Sequence, residues 1–159
     1  MEIIVFTSFL GPLKQEKFTV KVIDGLNINE HHGIYNAGEW AFKLFKNETL
    51  VLESQRVKLP GKETFLGHQR YRIIWERTEI AFLNKSYLKR EIIFDENNYS
   101  FPRLFKPSID DLKLEFPLRT WIWRRTVKSY CTTTEQDKMM LAIAITIFVW
   151  FTWNALPAD

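Results

Sequence analysis

Catalysis needs a positioned base, acid, nucleophile or metal, so the first question is which side chains of this chain supply one. It has three histidines, His31, His32 and His68, and only Glu30-His31-His32 sets imidazoles beside a carboxylate. A transition metal accepts such donors. On an extended segment, however, adjacent side chains leave opposite faces, so His31 and His32 cannot close on one ion. With no second spaced pair of ligands, the run predicts solvated loop histidines and no metal site. Asp24, Glu30, Asp95, Glu96, Asp110 and Asp111 stand at strand ends and offer the oxygen donors that calcium uses. Ordinary turn chemistry accounts for the same residues without an ion. There is no glycine-rich phosphate loop and no Gly-x-Ser-x-Gly elbow, and the single cysteine, Cys131, has no histidine near it in sequence. The expectation is a protein with no catalytic residue and no cofactor, and not an enzyme.

The elements that carry these residues read as strands. Glu2 to Leu10 is apolar and β-branched, begins with an acid and lacks a basic leader, which fits a first strand better than a signal peptide. Lys17 to Asp24 alternates, with Phe18, Val20 and Val22 on one face. Between Gly25 and Gly38 the alternation is lost among Asn27, Asn29, Gly33 and Asn36, and this reads as the longest loop. Trp40, Phe42 and Leu44 resume the pattern, Lys46-Asn47-Glu48-Thr49 reads as a hairpin connection, and Leu50 to Leu59 returns. Arg70 to Leu83 has apolar residues on both faces, the mark of a central strand or of a bulge near Arg77. Tyr87 to Asp95 pairs back. Phe101 to Ile109 holds Pro102 and Pro107 and reads as an edge segment, and Asp111 to Leu118 alternates again. About seven strands without an amphipathic helix predict an all-β fold, an antiparallel Greek-key or immunoglobulin-like β-sandwich over residues 1–118.

The C-terminal part reads differently. Met139 to Trp153 has no charged residue and is apolar on every face, so it predicts a single transmembrane helix over 134–156, with 157–159 as a short tail. Thr132 to Glu135 fits a capping box with Thr132 as N-cap. Residues 119–133 form a basic, aromatic juxtamembrane segment. Arg119, Trp121, Trp123, Arg124, Arg125, Lys128 and Tyr130 on the near side, and Trp150 and Trp153 on the far side, are the expected membrane-interface residues. Ala142 and Thr146, four apart, are the expected helix–helix contact. The surplus of basic residues between 119 and 138 equals the net +3 of the whole chain, which leaves the body nearly neutral and offers no argument for nucleic acid.

These features predict a tail-anchored, single-pass protein whose N-terminal domain lies on the cytoplasmic or matrix-equivalent side. Its expected role is non-catalytic, as an accessory or adaptor subunit of a larger membrane assembly, with membrane lipids and other membrane-protein subunits as partners. Three sequons, at Asn47, Asn84 and Asn98, each in an expected turn, support an alternative: a lumenal or surface immunoglobulin-like receptor or viral membrane glycoprotein. A small membrane-bound enzyme built on Glu30-His31-His32 is a further alternative. Cys131 fits a reducing compartment and stands where a juxtamembrane thiol could be acylated.

Overall fold

The computed structural model describes residues 1–7, 15–59, 68–102, 114–116 and 126–153. These form eleven strands and one helix. The strands are β1 (Glu2–Phe6), β2 (Gln15–Asp24), β3 (Asn27–Asn36), β4 (Ala41–Lys46), β5 (Thr49–Val57), β6 (Gln69–Trp75), β7 (Thr78–Lys85), β8 (Lys89–Phe94), β9 (Asn97–Pro102), β10 (Leu114–Glu115) and β11 (Thr126–Cys131). The helix α1 (Gln136–Phe148) runs on into a π-helical turn, Val149–Trp153. All strands belong to one antiparallel sheet in the order β10-β11-β1-β2-β3-β4-β5-β6-β7-β8-β9. The antiparallel all-β class is as expected. From β1 to β9 the spatial order follows the chain as a meander, where a Greek key places a strand out of turn.

Local chemistry explains the meander. Three hairpins, at Asn47–Glu48, Glu76–Arg77 and Asp95–Glu96, have two successive residues at positive φ, the signature of the type I′ turn whose twist matches the strands it joins. Between β2 and β3, Gly25 takes φ +58°, a conformation that its lack of a Cβ makes accessible. The Arg70-to-Leu83 stretch is thus two strands, β6 and β7, and the residue near which a bulge was expected, Arg77, is at the tip of the turn between them. The expected loop from Gly25 to Gly38 is mostly β3, paired with β2 over ten residue pairs from Gln15–Asn36 to Asp24–Asn27. Of the sequon asparagines only Asn47 sits in a turn. Asn84 lies in β7, where its Oδ1 accepts a hydrogen bond from Arg70 Nε at 3.0 Å, and Asn98 lies in β9.

The sheet curls around α1. Phe148 meets Phe42 of β4 and Tyr71 of β6 edge-on, at centroid distances of 5.9 and 5.0 Å. Phe151 stacks on Tyr35 of β3 at 4.3 Å and tilts against Phe18 of β2 at 5.1 Å. Thr146 bonds to Ser129 of β11, and α1 also lies against β1, β5 and β7. Residues Leu141 to Val149 are all buried, and they share one core with the inward residues of the strands, among them Ile3, Val20, Leu52, Ile73, Leu83, Ile92 and Val127. Burying each large side chain of this kind contributes about 1.5–3 kcal/mol.

This placement corrects the expected transmembrane helix. No described helix is long and apolar enough to cross a membrane; α1 has 13 residues, roughly 20 Å at the helical rise. An all-round apolar surface identifies a helix that meets no water, and here protein surrounds it instead of lipid. Nor is the expected capping box formed. Glu135 stands at the N-cap without a side-chain cap bond, while the Thr133 hydroxyl accepts the Glu135 N–H at 3.3 Å. The segment expected to be juxtamembrane contributes β11, which pairs with β1 from Glu2–Tyr130 to Phe6–Thr126.

Candidate functional site

The outer face of β1, β2 and β3 can be read row by row from its registers. One row runs Tyr130, Glu2, Ile23, Ile28. The next runs Lys128, Ile4, Lys21, Glu30, and the third Thr126, Phe6, Thr19, His32, Phe45. Ion pairs lace the second row: Lys21 Nζ lies 3.8 Å from Glu30 Oε2, and Lys128 Nζ reaches back to Glu2 Oε1 at 3.7 Å. His32 Nε2 is 3.6 Å from Glu30 Oε1, and Lys21 Nζ also sits over the Phe6 ring at 5.3 Å.

At the β4 side this face opens into a notch of about 910 Å³, lined by Lys17, Phe18, Thr19, Glu30, His32, Gly33, Ile34, Phe45, Asn47 and Glu48. The cause is a mismatch of strand lengths. β3 pairs with β4 only from His32–Phe45 to Asn36–Ala41, and a register shift at Leu44/Phe45 then bends the β4–β5 hairpin. The far half of β3, Asn27 to Glu30, runs past that hairpin with all four residues exposed. Leu26 at the tip is fully exposed and Ile28 is 65% exposed, an unusual cost for two large apolar side chains. The wall of the notch is made by Phe18, whose ring lies over Gly33; a Cβ at Gly33 would collide with it.

The expected site residues are dispersed by this arrangement. Glu30 and His32 reach the notch, but His31 points into the core, as alternation on an extended strand requires. The His31 Nδ1 has no hydrogen-bond partner, and burial lowers the imidazole's pKa, helped by the Lys46 and His32 charges. Among the described residues no group of three or more His, Cys, Asp or Glu could hold a metal ion. Asp24 flanks the β2–β3 turn and Asp95–Glu96 form a type I′ turn, while Asp110 and Asp111 lie outside the described residues. So do Arg119, Trp121, Trp123, Arg124 and Arg125. Lys128 and Tyr130 are on the outer face of β11, and Trp150 is half-buried with its ring 6.2 Å from that of Phe151. Trp153 closes the π-helical turn. Thr146 faces β11, where its hydroxyl meets that of Ser129, and donates to the Ala142 carbonyl, while Ala142 is buried in the same core. Cys131 is fully buried, with its thiol pushed up by that burial, so it is not presented for acylation.

Sequence reasoning missed Lys17, Thr19, Ile28, Ile34, Phe45 and Glu48 as neighbours. One signal was present: Gly25-Leu26 between alternating runs puts a glycine at the first loop position of a two-residue hairpin, and reading it would have turned the expected loop into β3.

The fold and the notch define an antiparallel meander wrapped around its own C-terminal helix, in which the far half of β3 has no described strand beside it on the β4 side. Comparison with protein-family models, curated proteins and solved structures finds no match to this chain.

Proposed function

We propose that this protein is a non-catalytic binding domain, an accessory or adaptor subunit that recognises a partner protein through the notch beside β3. The observation that carries this reading is the coincidence of an open cavity with the exposed apolar side chains of Leu26, Ile28 and Ile34 on one hairpin. The apolar part of the notch's lining comes from Phe18, Ile34 and Phe45, and its polar part from Lys17, Glu30, His32, Asn47 and Glu48. Such a mixture of aromatic and aliphatic side chains with polar ones is the composition of a protein contact. Since α1 is consumed by the core, the reading keeps the accessory role and makes no use of an anchor.

The test is comparative capture from the native host, using the full-length chain and the variant Ile34→Arg. Ile34 faces outward and is 36% exposed, so the substitution leaves the core intact. Loss of the same partner from the variant supports the reading; equal capture by both chains overturns it.

A further inference from the structure

We infer that the open edge of β3 binds an extended peptide segment by strand addition, with a basic residue opposite Glu30 and an apolar one opposite Ile28. This rests on the notch being the recognition surface and names the form and chemistry of what enters it.

Backbone geometry comes first. Asp24–Asn27 closes the two-residue hairpin, so Asn27, Asn29 and His31 turn their N–H and C=O groups toward β2. Ile28 and Glu30 then turn theirs the other way. Pairing with β4 begins only at His32, and no other described backbone bonds to Ile28 or Glu30. Two residues thus present two donors and two acceptors at strand spacing. An extended backbone satisfies all four together, which a helix or a small molecule does not. Edges of this kind are normally blunted by proline, lysine, a bulge or a covering loop. Residues 27–30 include no proline or lysine, and the one charge among them is that of Glu30.

Side chains set the preference. On the outer face Ile28 continues a row from Ile23, and an added strand would extend that row with an apolar side chain. Glu30 already pairs with Lys21 at 3.8 Å on its closed side. Glu48 lines the same notch, with Lys17 and His32, and a lysine or arginine on the added strand would stand directly opposite the Glu30 carboxylate, the cross-strand position where an opposite charge is favoured. In an antiparallel strand the order from N to C is basic, any residue, apolar.

The experiment uses the full chain and a synthetic capped octapeptide, Thr-Lys-Thr-Val-Thr-Lys-Thr-Val, followed by amide hydrogen exchange. The expected result is slowed exchange at Ile28 and Glu30. Ile28→Pro removes one donor on the open side while leaving every β2 bond, and it should weaken binding about tenfold or more. Glu30→Lys should reverse the preference toward the same peptide with glutamate for lysine. Unchanged exchange at Ile28 and Glu30, absence of binding at millimolar peptide, or full binding by a folded Ile28→Pro chain would each overturn the edge. If Ile34→Arg abolishes peptide binding and Ile28→Pro does not, the notch reading stands and strand addition falls. If neither matters, both fall.

Discussion

The hydroxyl of Thr146 lies 2.7 Å from that of Ser129, and it also lies 2.7 Å from the carbonyl oxygen of Ala142 one helical turn back. Thr146 has one proton to give, and the carbonyl can only accept. The Ser129 hydroxyl is therefore the donor to Thr146, and the helix is tied to β11 by a directed chain of two hydrogen bonds in the driest part of the core.

That direction makes the two single substitutions unequal. Ser129→Ala removes a donor from an acceptor that keeps its other bond, at a cost of about 0.5–1.5 kcal/mol. Thr146→Val leaves the Ser129 hydroxyl buried with no acceptor, at about 1–3 kcal/mol. The double variant should cost less than the sum of the two. Urea melts of the four chains measure the coupling, and strict additivity would contradict the assignment.

Gly33 and Phe18 form a second coupled pair. Gly33→Ala places a methyl group where the Phe18 ring sits, so one of them must shift, at about 1–3 kcal/mol of overpacking. Phe18→Leu in the Gly33→Ala background should recover part of the loss. A rescue in the melting temperature is the readout, and independent effects would show that the ring does not rest on the glycine.

The Glu76–Arg77 turn stores strain, since both residues adopt the left-handed conformation without being glycine or asparagine. Replacing them with Asn and Gly, the pair a type I′ turn favours, should stabilise the chain by about 1 kcal/mol. A destabilised melt would mean that the two side chains contribute more than their backbone costs.

His31 makes stability depend on pH. Burial, followed by the charges of Lys46 and His32, holds its imidazole below the ordinary 6.5, so the folded chain prefers it neutral. The unfolded chain takes up the proton first. The contribution is whole above the unfolded value, and it declines as pH falls from there through the lower folded value. Denaturant titrations from pH 7.5 downward should show a His31-dependent loss, and His31→Leu should flatten it. A variant with the wild-type slope would assign the loss elsewhere.

Phe148 tests the helix as core. Phe148→Ala should cost about 3–5 kcal/mol, because its ring packs edge-on against both Phe42 of β4 and Tyr71 of β6. Deletion beyond Lys138 should unfold the sheet outright. A cooperatively melting chain without those residues would show that the helix is dispensable to the fold.

Much of the strand content was legible because alternation over Lys17 to Asp24 and around Phe42 and Leu44 has a two-residue period that only a half-buried strand produces. The hairpin at Asn47–Glu48 was legible from turn chemistry. Two elements were misread for physical reasons. β3 carries Asn27 and Asn29 where its far half meets solvent and a glycine, Gly33, beneath the Phe18 ring, so it lacks the apolar marks of a strand and owes its form to ten backbone pairs with β2. In the hairpin between β6 and β7, Glu76 and Arg77 carry no turn signal, and the backbone is driven there by the pairing on either side.

The order of residues alone determined that Met139 to Trp153 shuns water and, through alternating runs joined by short turns, that the strands pair antiparallel. What surrounds the helix was a tertiary decision. Transfer out of water is favourable into lipid or into packed protein alike, and the residues carry no mark of which. Only the curling of the sheet from β11 to β7 supplied the walls, and only the pairing of the strands showed that β3 runs past β4 and leaves the notch.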